Sequence, residues 1–150
     1  MVKKFIHNFM TTYESKVKSV AANDSQIFAV LSNMNNLQRF ESRLPKDKIQ
    51  DFKTTQTTCS FSVSPFGNFE IAIVEATPKN TIKYGTTQSP MQFNVWVQLK
   101  QIEPGKCALK LTMKIDLNFM LKAMVGKYLE EYIDKAATVL ASLPYAQLSK

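Results

Sequence analysis

The final stretch of the chain constrains the fold most. From Phe119 to Leu143 apolar residues return every three or four positions, at Leu121, Met124, Val125, Tyr128, Leu129, Tyr132, Ile133, Ala136, Val139, Leu140 and Leu143. Lys127, Glu130, Glu131 and Asp134 fall between them. This spacing predicts one long amphipathic helix. About 25 residues at a rise of 1.5 Å give a helix near 37 Å, long enough to cross a whole sheet. Its apolar side needs a partner surface of comparable length, and the residues before it supply one.

Those residues alternate with a period of two. Thr58 to Val63 sets Cys59, Phe61 and Val63 on one face, and Phe69, Ile71 and Ile73 do the same after the turn Pro65-Phe66-Gly67-Asn68. Ile82, Tyr84 and Thr86 follow Pro78-Lys79-Asn80. Phe93, Val95, Val97 and Leu99 then oppose Asn94, Trp96 and Gln98, and Leu109, Leu111, Met113 and Ile115 oppose Lys110, Thr112 and Lys114. Strands with one apolar and one polar face, joined by short turns, predict an antiparallel sheet covered on one side. Ahead of them, Tyr13 to Val20 reads as a first strand, and Lys48 to Thr54 as a weak one. Between these two, Asn23-Asp24-Ser25-Gln26 has the form of a capping box opening a short helix. Asn35-Asn36-Leu37-Gln38 repeats the logic for a second, which Leu44-Pro45 ends.

The expected architecture is therefore α+β: a strand, two short helices, about six antiparallel strands, and a long C-terminal helix packed across the concave sheet face. A chain of 150 residues fits one domain, expected over 12–150 behind an N-terminal arm at 1–11. The arm starts like a signal peptide, but His7 and Asn8 break its apolar run, so it reads as a soluble arm, with Met10 an alternative start. No run of about 18 apolar residues is present to span a bilayer. The two cysteines, Cys59 and Cys107, have inward parity and behave as small hydrophobes, which fits a reducing cytoplasm.

The net charge of +7 gathers on one face. Lys83, Lys100, Lys110 and Lys114 share outward parity, so the outer sheet face is expected to be basic. With only two arginines, Arg39 and Arg43, and no exposed aromatics interleaved with the lysines, this argues for a solvated face and against a nucleic-acid site.

This order of elements resembles that of the helix-grip proteins of the SRPBCC superfamily (START-like, birch-pollen-allergen-like and polyketide-cyclase-like), and small bacterial members in particular. The resemblance runs from about Thr12 to Tyr145. It is carried by Ile27-Phe28-Ala29-Val30-Leu31-Ser32-Asn33-Met34-Asn35-Asn36-Leu37, by Pro90-Met91-Gln92-Phe93-Asn94-Val95-Trp96-Val97-Gln98-Leu99 and by the terminal helix. It implies a hydrophobic cavity between the sheet and the last helix, with its mouth near the two short helices. It implies no particular chemistry, since carriers, receptors, cyclases and oxygenase subunits share the fold. The glycine-rich loop of the plant allergen-like branch has no counterpart here, because Ser64 to Asn68 holds one glycine. The oxygenase branch binds iron through two histidines and a carboxylate, whereas the only histidine here is His7.

A folded region without histidine excludes Ser-His-Asp and Cys-His nucleophile systems. The cysteines lack partners for zinc, and Glu130-Glu131 falls on the polar side of the helix. No catalytic residue, metal ligand or cofactor is assigned. What is left is polar tips on an apolar inner face, chiefly the tyrosines, suited to orienting a ligand in a greasy pocket. The sheet side of the expected cavity wall is Phe61, Ile71, Ile73, Tyr84, Phe93, Val95 and Met113, and the helix side is Leu121, Met124, Val125, Tyr128 and Tyr132. Phe40 and Leu44 are expected at the mouth. The function expected is non-catalytic binding of a hydrophobic small molecule of lipid or polycyclic type. A cyclase- or dehydratase-like enzyme, with Glu75 as the nearest acid, and an interaction module using the basic face and Trp96 are the alternatives.

Overall fold

The computed structural model describes residues 10–150; most of the expected arm, with His7, lies outside them. Among these residues eight strands form one antiparallel sheet: β1 (Met10–Glu14), β2 (Lys18–Val20), β3 (Ile49–Thr54), β4 (Thr58–Val63), β5 (Gly67–Thr77), β6 (Thr81–Gln88), β7 (Phe93–Glu103) and β8 (Lys106–Asp116). The strand order is β1-β8-β7-β6-β5-β4-β3, with β2 also paired to β8. Helix α1 (Asp24–Leu31) and a 3₁₀ helix (Met34–Arg43) separate β2 from β3, and α2 (Phe119–Ala141) and the short α3 (Tyr145–Leu148) close the chain.

The expected first strand is broken in two by Ser15. Its hydroxyl accepts the Leu111 N–H at 2.9 Å and donates to the Lys16 carbonyl at 2.8 Å. A buried side chain thus occupies a ladder position that backbone would otherwise fill, and β1 and β2 pair β8 on either side of it. This break raises the strand count to eight. The second short helix also differs from expectation. It is 3₁₀ in form and starts at Met34, with the Asn33 side chain accepting the Asn35 N–H at 3.0 Å. Helix α1 follows its capping signal, since the Gln26 side chain accepts the Asn23 N–H at 2.9 Å. The Asn23 carboxamide also accepts from Gly105 N–H at 2.7 Å and Gln101 at 2.9 Å, tying α1 to the β7–β8 hairpin. Gly105 takes φ +78 in that hairpin, a conformation other residues adopt at a cost.

Register places the inner face in cross-strand rows. Ile82, Val97 and Leu111 form one row and Leu99 with Leu109 the next; all five are buried. A parallel row runs Ile73, Tyr84, Val95, Met113, Tyr13. The dry rows lie toward the β7–β8 hairpin, where α1 covers the sheet and α3 packs on α1. Helix α2 leaves β8 at the opposite end, capped by Asn118, whose side chain accepts the Leu121 N–H at 2.9 Å. It runs back along β8, β1 and β2 rather than over the middle of the sheet.

Candidate functional site

The two halves of α2 sit differently on the sheet. In the second half Ile133 is 7% exposed and Ala137 fully buried. Asp134 accepts the Lys16 backbone N–H at 2.8 Å and the Lys18 ammonium at 3.0 Å, pinning the helix to the break between β1 and β2. These donors, the backbone N–H first, hold its carboxyl below the ordinary aspartate range. In the first half Phe119 is 86% exposed, Met120 73%, Met124 59% and Tyr128 54%. Only Leu121, Val125, Gly126 and Leu129 turn partly inward there.

Gly126 marks where the halves meet. A Cβ at that position would come within 2.9 Å of the Tyr13 hydroxyl. The tyrosine rises from β1 into the space a side chain would take, so glycine in a regular helix is explained by close approach. The Tyr13 hydroxyl is buried without a hydrogen-bond partner among the described residues. Burial first, and then the charge of Glu130, raise its pKa.

Away from the strands that α2 runs along, the inner face is apolar and only partly covered. Ile71, Ile73 and Val95 face inward beside buried Cys59 and Tyr84, yet each is half-buried. Four phenylalanines run in a row across β3, β4, β5 and β7. Their ring centroids are 6.3 Å apart for Phe52–Phe61, 5.7 Å for Phe61–Phe69 and 5.9 Å for Phe69–Phe93. With partly buried Ile71, Ile73 and Val95 these aromatic faces make a partly covered apolar strip on the inner face, and Leu121 and Val125 of α2 pack against the same core. A depression of about 290 Å³ opens at the outer end of the row, lined by Glu41, Leu44, Lys46, Ile49, Gln50, Asp51 and Phe52.

Two side chains tether the far wall to α2. Lys48, just before β3, donates to the Tyr132 hydroxyl, with its ammonium 5.2 Å from the Tyr132 ring centre and 5.5 Å from that of Tyr128. That hydrogen bond is the leading cause of a raised Lys48 pKa. Arg43, at the end of the 3₁₀ helix, donates to Ser142 at 2.8 Å.

The residues expected in a cavity wall therefore separate into groups. Phe61, Ile71, Ile73, Val95, Leu121 and Val125 border the strip, with Phe93 and Met113 buried at its floor. Tyr84 is taken into the core instead. Its hydroxyl donates to the Leu31 carbonyl at 2.5 Å, and burial, with Tyr145 nearby, raises its pKa. Met124 and Tyr128 are more than half exposed, Tyr128 with the Lys48 ammonium near its ring, and Tyr132 is engaged by Lys48. Of the two expected mouth residues, Leu44 lines the depression while Phe40 is buried. Glu75 stands across the β5–β6 ladder from Lys83 on the opposite face, and both line a second depression of about 190 Å³ with Thr77, Thr81 and Trp96. Neither depression is lined by α2. Burial pushes the Cys59 thiol up to about 12, so it stays protonated and unreactive.

Sequence reasoning missed Phe52, Phe69, Tyr13, Lys48 and Arg43. Phe69 and Tyr13 had the right parity and were open to detection. Phe52 was hidden by a bulge, since Asp51 takes φ +55 and the register slips between Gln50 and Lys53. Nothing local marks Lys48 or Arg43.

On the outer face the basic stripe is present. Lys110 pairs with Glu14 at 3.1 Å; against expectation an aromatic is interleaved with the lysines, since the Lys83 and Lys114 ammonium groups lie 5.2 and 5.8 Å from the ring centre of partly exposed Trp96, which has outward parity. No group of three or more histidine, cysteine or acidic residues is disposed to hold a metal ion among the described residues. No helix is long and apolar enough to cross a membrane among them.

No protein-family model and no curated protein matches the chain. Solved structures do. Norcoclaurine synthase from Thalictrum flavum (a point mutant bound to a transition-state analogue) superposes with a TM-score of 0.67 at 12% identity, over 93% of this chain and 94% of that one. A START superfamily protein from Mycobacterium smegmatis gives 0.56 at 14% identity, over 87% and 98%. A Thermobifida fusca protein gives 0.61 at 10% identity, over 91% and 94%. At these identities the likeness is one of fold: the chain has the helix-grip architecture of START superfamily proteins and norcoclaurine synthase.

Proposed function

We propose that the chain binds a hydrophobic small molecule, lipid or polycyclic in type, along the strip between α2 and the inner sheet face, and releases it unchanged. One observation carries this reading. Inward side chains on β4, β5 and β7 are left partly accessible, beyond the part of the sheet that α2 runs along, although the same face is dry toward the β7–β8 hairpin. A ligand covering about 200 Å² of such surface would gain roughly 5 kcal/mol before the costs of ordering. The phenylalanine row offers flat faces to rings or chains, and the fold neighbours, a START superfamily protein and an enzyme that binds a small molecule, are consistent with a ligand here. Binding is favoured over turnover because the Tyr84 hydroxyl is committed to the Leu31 carbonyl, the Tyr13 hydroxyl is covered by Gly126 of α2, burial keeps Cys59 a thiol, and Glu75 lies on the other face.

The test is titration with an environment-sensitive apolar dye. Saturable uptake is expected, and Val95→Trp, which fills the strip, should weaken it about tenfold, equivalent to ~1.4 kcal/mol. Val74→Trp, exposed on the other side of β5, should leave it unchanged. Absence of saturable uptake, or equal affinity in the two variants, would refute the assignment.

A further inference from the structure

We propose that the free first half of α2 docks onto the interface of a lipid bilayer that carries anionic headgroups. Met120, Met124 and Tyr128 recur at four-residue spacing and so form one stripe, with Phe119 at the leading tip. All four are more than half exposed. A contiguous cluster of this kind marks an interaction surface rather than the scatter of apolar atoms found on any protein.

Charge selects the occupant. Lys122 and Lys127 are the only charged residues among the first eleven of α2, and acids enter only with Glu130 and Glu131. The exposed side of this segment thus combines an apolar stripe, flanking lysines and an aromatic ring with a polar tip, the Lys48 ammonium lying 5.5 Å from that ring. That combination suits the boundary between headgroups and acyl chains, where lysines meet anionic lipid and tyrosine spans both environments. A second copy fits poorly, because it would bring lysines against lysines in a chain of net charge +7. The inference does not depend on a ligand in the strip, and no ligand enters its test.

The experiment is co-sedimentation of the full chain with vesicles of phosphatidylcholine alone, or of phosphatidylcholine with phosphatidylserine. Binding to the anionic vesicles is expected, and it should weaken with added salt. Phe119→Ser with Met120→Ser should reduce it by about tenfold or more. Lys122→Gln with Lys127→Gln should reduce it by roughly fivefold to tenfold. These residues are exposed, so circular dichroism should show both variants folded. Lys83→Gln with Lys114→Gln, on the outer sheet face, should bind as the parent does. No binding to anionic vesicles overturns the proposal. So does loss of binding in the sheet-face variant instead of the helix variants, or a dimer in sedimentation that the Phe119 and Met120 changes abolish.

Discussion

The two halves of α2 carry the same pattern in sequence and lead different lives in the structure. Both place apolar residues at helical spacing. The second half is buried at Ile133 and Ala137 and pinned at Asp134, while the first exposes Phe119, Met120, Met124 and Tyr128. Periodicity reports that a helix has an apolar side, but not whether anything is pressed against it. What separates the halves is the surface below. Toward the β7–β8 hairpin the inner face is already packed by α1, and α2 settles close to it. At the other end Tyr13 stands up beneath Gly126 and the phenylalanine row leaves a half-covered strip. Stability and accessibility are thereby divided along one helix.

The sharpest way to break this contrast is truncation on each side. Ile133→Ala should lose about 2–4 kcal/mol in urea denaturation, through lost contacts and a cavity. Met124→Ala should shift stability by less than about 0.5 kcal/mol, as exposed sites do. Equal losses would mean that the first half is packed as firmly as the second.

A smaller effect is expected from the pin. The Asp134 pKa is depressed in the folded state. Its contribution is therefore present above the ordinary carboxylate value and lost as pH falls through the folded one. Asp134→Asn should lower Tm near neutral pH, and the gap from the parent should close on acidification below about pH 4. A gap that stays constant with pH would show that the carboxylate charge does not hold the helix.

The junction should give the smallest change. Gly126→Ala gains up to ~1 kcal/mol of helix propensity, but presses on the Tyr13 hydroxyl. The gain should appear only when Tyr13→Phe is added, because removing the hydroxyl also ends its unpaired burial. If Gly126→Ala alone stabilises fully, the close approach does not govern the choice of glycine.

Much of the fold was legible because the strands and the final helix announce themselves by period. Phe93 to Leu99 and Leu109 to Ile115 alternate without a lapse, and Asn23 and Gln26 mark the start of α1. The break at Ser15 was not legible, since one serine in an alternating run gives no sign that its side chain will replace a ladder bond. The site was legible in part. Parity found Ile71, Ile73 and Val95, which face the strip, but it also drew in Tyr84, whose hydroxyl belongs to the Leu31 carbonyl. Met124 and Tyr128 were placed inward on the assumption that a helix touches its sheet along its whole length. The distance between two elements is set by every residue between them and has no local signature.

One consequence of the strand order concerns synthesis. Met10 pairs with Asp116, about a hundred residues further along, so β1 must wait on the ribosome for on the order of ten seconds at usual elongation rates. During that time β3 to β7 can zip together as neighbours in sequence, leaving the edge of β7 open. Lys100, exposed on β7, places charge on that temporary edge, a common guard against pairing with other nascent chains.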